Sequence, residues 1–278
     1  MKHLIVTADD FGLAPEVNEA VEYAHTHGIL TSTSLMVGSP AAADAVARAR
    51  RLPSLRVGLH LTLVEAAPVL PRNQVPDLVG PDGLFRTDMA RSGASMFFRP
   101  GVRRQLAAEI EAQFAAYAAT GLPLDHVDAH KHFHLHPTIA GLMIKIGHRY
   151  GMRAVRVPAE PMETVRAIDK DAPWAMPSLV APFTTLLGRR LRRAGLRVPD
   201  QVFGLAWSGT MTGARLEALL KRLPDGVTEI YTHPATAGGF AGAAPGYAYP
   251  NELAGLVAPH VIAAAGQSGA TRGGYSDI

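Results

Sequence analysis

The chain contains no cysteine in 278 residues. That absence excludes disulfides, cysteine-ligated zinc fingers and thiol nucleophiles, and it fits a cytoplasmic protein. No stretch reaches the roughly 18 consecutive apolar residues of a membrane-spanning helix. The start, Met1 to Asp10, lacks the long apolar region of a signal peptide and ends in two carboxylates, so the mature chain is expected to begin there. There is no glycine-rich dinucleotide fingerprint after the first strand, no internal repeat and no low-complexity segment. Charge of one sign is also in short supply. The formal net charge is only +3, and despite a pI near 9.3 that surplus is no nucleic-acid footprint.

What is present is apolar material. Hydrophobic residues make up 47% of the chain and charged residues 18%, enough for a large buried core. Strand-like and helix-like runs alternate from the first residue. Strands are expected at Leu4 to Ala8, Thr31 to Val37, Leu55 to Leu63, Leu124 to His130, Ala154 to Val157, Gly204 to Ser208 and Thr228 to Tyr231. Helices are expected at Glu16 to His27, Ala41 to Arg51, Val102 to Ala119, Thr138 to Tyr150, Leu179 to Ala194 (with Pro182 delaying its start), Arg215 to Leu223 and Asn251 to Ala265. Residues 64–100 and 158–177 read as irregular. Repeated β-then-α units imply parallel strands with right-handed crossovers. About seven such units point to an α/β fold, a single irregular (β/α) barrel spanning residues 1–278 as one domain. An open doubly wound sheet is the second choice.

Catalytic groups in such barrels sit at the C-terminal ends of strands. Four strand ends carry titratable residues: Asp9-Asp10-Phe11-Gly12, Gly58-Leu59-His60-Leu61, the run from Asp128 to His136, and Tyr231-Thr232-His233-Pro234. Two adjacent carboxylates at the end of an apolar strand are costly to bury unpaired, and a metal cation relieves their repulsion. Successive strand residues point to opposite faces, so one carboxylate can ligate while its neighbour reaches a bound water. Either can equally cap the next helix. His60 alone reads as a hydrogen-bonded core residue, and His233 before Pro234 as a simple strand terminator. In an extended chain Asp128, His130, His132, His134 and His136 share one face, as a divalent metal site requires; the plainer alternative is a surface histidine cluster. In combination, one carboxylate and two histidines from three strand ends form a facial triad with open positions. The cation then acidifies water, and the remaining acid takes its proton.

The set Thr7-Ala8-Asp9-Asp10-Phe11-Gly12, Asn18, Gly28-Ile29-Leu30-Thr31-Ser32-Thr33-Ser34, Gly58-Leu59-His60-Leu61, His126-Val127-Asp128-Ala129-His130, Thr232-His233-Pro234-Ala235 and Glu252-Leu253 resembles the YdjC-like carbohydrate deacetylases. The resemblance covers nearly the whole chain. It implies a distorted β/α barrel, similar to polysaccharide-deacetylase-like barrels, with one divalent cation, magnesium or zinc. It implies Asp10, His60 and His130 as metal ligands, Asp9 as catalytic base and His233 as general acid. Lys131 stands where relatives often carry another histidine. The loop Ala67 to Pro71 and the stretch Ser95-Met96-Phe97-Phe98-Arg99-Pro100 resemble more narrowly the branch associated with hopanoid biosynthesis. That branch implies an N-acetylglucosaminyl hopanoid lipid as substrate.

The expected reaction is removal of the N-acetyl group from an N-acetylated sugar or glycolipid. One alternative is a metal-dependent phosphoesterase with Arg153 and Arg156 as phosphate clamps, although no second carboxylate set for two metals is evident. Another is a non-catalytic sugar- or lipid-binding module, which has no use for the Asp9-Asp10 pair. The basic, leucine-interleaved segment Leu186 to Ala194 is either a solvated helix face or a contact for an anionic membrane surface. A peripheral membrane contact, a homodimer and no nucleic-acid partner are expected. The two irregular segments should border the mouth of the site, with Met96, Phe97 and Phe98 either packed under the domain or lining the substrate surface.

Overall fold

The computed structural model describes residues 1–173 and 178–278 in full, and the backbone of 175–177. Its elements in chain order are β1 (Lys2–Phe11), α1 (Pro15–His27), β2 (Ser32–Leu35), α2 (Ala42–Arg51), β3 (Arg56–Leu61), α3 (Met89–Phe98), α4 (Pro100–Ala119), β4 (Val127–Ala129), α5 (Pro137–Gly147), α6 (Met162–Ile168), α7 (Ala175–Arg193), β5 (Gln201–Phe203), α8 (Gly213–Leu220), β6 (Gly226–Thr232), α9 (Tyr249–Leu256), α10 (Pro259–Gln267) and β7 (Thr271–Arg272). The strands lie in the order β4-β3-β2-β1-β6-β5, and β7 pairs with the start of β1. Each of these pairings is parallel.

The central strand shows why this sequence curls into a half-barrel. From Leu4 to Phe11 every residue of β1 is buried, as the continuous apolar run requires of a strand covered on both faces. The open side of the curl, between β4 and β5, is spanned by residues 154–159. Val127 donates its N–H to the Ala154 carbonyl at 3.0 Å, and Val202 donates to Ala159 at 3.1 Å. Six strands and this irregular stave give the expected barrel of about seven. The stave itself forms isolated bridges at Ala154 and Val155 and no regular strand.

Other boundaries differ from the sequence reading for local reasons. The stretch 64–100 contains α3, whose first turn is capped by the Asp88 side chain accepting from the Arg91 N–H at 3.0 Å. The stretch 158–177 contains α6 up to Ile168, and its residue Trp174 lies outside the described residues. Pro182 sits inside α7 and does not delay its start. The expected helix Asn251 to Ala265 is two helices, because Pro259 opens α10 and cannot continue α9. The strand expected at Gly204 to Ser208 lies slightly earlier, at Gln201–Phe203; the left-handed Gly204 (φ +132°) ends it.

Candidate active site

The site begins with a fault in β1. Ala8 pairs with Thr33 and Phe11 with Leu35, so β1 carries one residue more than β2 between those points. That is a β-bulge, and Asp10 sits in it with φ +64°. An aspartate tolerates this left-handed conformation better than most residues. Alternation would have sent Asp9 and Asp10 to opposite faces; the bulge turns both toward one cleft of about 490 Å³ at the C-terminal ends of the strands. Among the described residues, the non-glycine residues with positive φ are Asp10, Glu65, Lys131 and His132, and all four line that cleft. Backbone strain concentrated in this way is a mark of a functional site.

Asp10, His60 and His130 converge. The Oδ1 of Asp10 lies 3.2 Å from His60 Nε2 and 3.0 Å from His130 Nδ1. Neighbouring donors around a single cation with bonds of about 2.1 Å are about 3 Å apart, so the spacing fits one metal ion. Three side chains from three strand ends form a half-shell with the remaining positions open to the cleft. The far nitrogen of His60, Nδ1, is 2.9 Å from Asp128 Oδ1 and 3.0 Å from Ser34 Oγ. This carboxylate-imidazole arrangement fixes the ring and aims Nε2 at the donor set.

Charge supports the same reading. Asp9, Asp10, Asp128 and Glu229 are all at most 6% exposed, and the cation among them is Arg156, itself fully buried. Burial opposes a charge on His60, but Asp128, Asp10 and Asp9 outweigh it and push its pKa well above the ordinary imidazole range. Burial likewise opposes ionisation of Asp10, yet His130 and His60 hold its carboxyl well below the usual carboxylate range. A buried cluster with more carboxylates than cations accommodates a divalent ion readily.

Arg156 is the residue whose role sequence reasoning missed. It was a candidate phosphate clamp, but its guanidinium has no free face. It donates to Asp9 at 2.7 and 2.9 Å, to Glu229 at 3.0 and 2.7 Å, and lies 2.6 Å from Asp128 Oδ2. Burial disfavours its charge, and the three carboxylates overcome this and raise its pKa well above the ordinary value. Arg153, the other clamp candidate, is exposed and is no part of the cleft lining. The bidentate grip holds Asp9 in one orientation. The signal for Arg156 was present only as an arginine in a short apolar run.

His233 closes the opposite wall, with Nε2 4.0 Å from Asp9 Oδ2. Its backbone N–H is held by the carboxylate of Glu252 from α9, which also accepts from the Met211 N–H at 2.8 Å. The Tyr247 ring lies 5.0 Å from the His233 ring.

The histidine run does not behave as an extended face. After Ala129 the chain turns through a 3-10 segment, His130–Leu135, in which Lys131 and His132 are left-handed. The imidazoles diverge. His130 reaches Asp10, His132 meets the Tyr231 hydroxyl at 3.1 Å, and buried His134 meets the Arg156 carbonyl at 2.9 Å. Burial brings the His134 pKa down to about 4, so it sits neutral in the core. Lys131, on the rim, pairs with Glu65. Of the apolar cluster, Met96 is core, Phe97 packs edge-on against the cleft residue His136 at 6.4 Å, and Phe98 is exposed.

Residues 3–265 match the YdjC-like protein family. The chain belongs to that family. It is 31% identical over 236 residues to a carbohydrate deacetylase of Geobacillus stearothermophilus, covering 84% of this chain and 80% of that one. It is 37% identical over 155 residues to a carbohydrate deacetylase of Brevibacillus brevis, covering 56% of this chain and 59% of that protein, less than two thirds of its length. Its fold superposes with a TM-score of 0.78 on a candidate cellobiose-phosphate cleavage protein of Enterococcus faecalis V583, at 26% identity, covering 99% and 98% of the two chains.

Proposed function

We propose that this YdjC-like protein is a single-domain, metal-dependent N-deacetylase of acetylated sugars. The observation that carries the reading is the pairing of two unlike halves in one cleft. A donor triad, Asp10, His60 and His130, stands beside a carboxylate, Asp9, that Arg156 holds facing His233. Asp10, His60 and His130 would hold a divalent cation, which would supply Lewis acidity to the site. Asp9 takes the proton from the attacking water, because its carboxylate is fixed and turned into the cleft. His233, across from it, delivers a proton to the departing amine nitrogen as the C–N bond breaks. Two imidazoles and one carboxylate suit zinc, iron or manganese as well as magnesium. The relatives named as carbohydrate deacetylases support an acetylated sugar as substrate.

The finer reading is an N-acetylglucosaminyl group on a lipid of the hopanoid type, with the protein working in the cytoplasm. Its support is the apolar share of the cleft wall, which includes Met89, Phe133, Leu135, Val180 and Leu205. The test is product analysis by mass spectrometry on soluble and lipid-linked N-acetylglucosaminyl compounds, with free acetate measured in parallel. Equal release of acetate and free amine is expected. Release of phosphate from a phosphorylated sugar with no acetate would overturn the reading.

A further inference from the structure

One face of α7 lacks a partner. Leu179, Phe183 and Leu186 are 67%, 49% and 59% exposed, and their spacing of i, i+4 and i+7 puts them on one stripe. Arg190 and Arg193 continue the stripe at i+11 and i+14, with Arg189 and Arg192 beside it. All four arginines are exposed, and among the described residues none of them has a carboxylate within ion-pair range. The opposite side of the helix is buried through Thr184, Leu187 and Leu191. The stripe therefore belongs to a helix that is docked, and its exposure is a property of the folded chain.

The stripe also has a location. Val180, one residue on from Leu179, lines the cleft. On α3, which sends Met89 into the same cleft, Phe97 and Phe98 are 46% and 76% exposed. Two helices that border the cleft thus each present large apolar side chains to the outside.

We infer that α7 is a docking surface for an anionic lipid bilayer, seating the protein on the membrane beside its cleft. The charge pattern selects this occupant. Four arginines with no carboxylate partner, of which Arg190 also donates to the Pro137 carbonyl at 2.8 Å, stand next to three large apolar side chains and match a surface that is negative at its headgroups and hydrocarbon below them. A second copy of the chain pairing through this helix would bring the same four cations against them. No helix among the described residues is long and apolar enough to cross a membrane, so the contact lies along the surface. The inference goes beyond the deacetylase reading and does not rest on it.

Co-sedimentation with vesicles tests it without substrate or metal, so its failure leaves the proposed reaction untouched. The probes are vesicles of phosphatidylcholine alone and of phosphatidylcholine mixed with phosphatidylglycerol. The full chain should pellet with the mixed vesicles and be released by salt. Replacing Arg189, Arg192 and Arg193 with glutamine should weaken binding roughly a hundredfold. Replacing Leu179, Phe183 and Leu186 with serine should weaken it at least about tenfold at every salt concentration. Both variants should keep the melting temperature and the turnover of a soluble acetylated sugar. A wild-type chain that stays in the supernatant, or variants that bind as the wild type does, would overturn the inference. So would conversion of a dimer to a monomer by the serine variant, seen in light scattering, with vesicle binding unchanged.

Discussion

Asp9 and Asp10 are neighbours in sequence with the same side chain, and their surroundings give them different work. Asp10 is turned by its left-handed backbone onto His60 and His130, while Asp9 is gripped by Arg156. Asp9→Asn keeps the shape but removes the proposed proton acceptor. Turnover should fall about 10²- to 10⁴-fold while metal content, measured by elemental analysis, stays at the wild-type level. Full activity in that variant would remove Asp9 from the role of base. Arg156 has a different signature. Arg156→Met leaves Asp9, Asp128 and Glu229 buried without their cation, which should cost roughly 3–5 kcal/mol in urea unfolding. An unchanged unfolding midpoint would mean that the cluster finds another counter-charge.

At the scale of elements, the barrel's closure depends on pieces too short to read as strands. The last residues are tied back by Asp125, just before β4, whose carboxylate accepts from the N–H groups of Tyr275 at 3.1 Å and Ser276 at 2.8 Å and from His126 at 3.0 Å. Burial would raise its pKa, but His126 and Ser276 outweigh burial and bring it down to about 2, from an ordinary 3.8. A depressed carboxylate pKa contributes stability that is complete above the unfolded value and is lost as pH falls through the folded one. The shift corresponds to roughly 2 kcal/mol. Asp125→Asn should therefore lower stability near neutral pH and flatten its decline between about pH 4 and pH 2, measured by denaturant unfolding at each pH. An unaltered slope in that window would show that the C-terminal tie draws its strength from elsewhere. The same shortness explains the stave at 154–159. It makes single bridges to its neighbours, so no alternating or continuous pattern marks it, yet it carries Arg156 into the centre of the site.

For the whole molecule, the excess of buried carboxylate makes binding of a divalent cation and stability of the fold a linked pair. A cation that binds only the folded state at about 100 times its Kd should add about 2.7 kcal/mol, roughly 5 °C in Tm for a chain of this size. Chelator-treated protein should melt lower and recover when zinc, manganese or magnesium is returned, followed by calorimetry. His60→Ala combined with His130→Ala should abolish the recovery. A gain of the same size in that double variant would place the cation away from the Asp10 triad.

The class of fold and the strand ends that carry chemistry are legible in the order of residues alone. Alternating apolar runs and amphipathic helices specify parallel β/α units through local periodicity, which is legible without coordinates. Asp9, Asp10, His60, His130 and His233 stood out because polar groups at the ends of apolar strands need a reason to be there. How they meet depends on the packing of distant segments. The bulge at Asp10 reversed what strand alternation predicts, and the left-handed turn at Lys131 and His132 scattered the histidine run that an extended chain would have aligned. Arg156, Glu229 and Glu252 are joined to the site across 147, 73 and 19 residues of chain. A charge's partner at such separations is set by the packing of the barrel, since the Coulomb interaction depends on distance in space and leaves no local pattern in sequence.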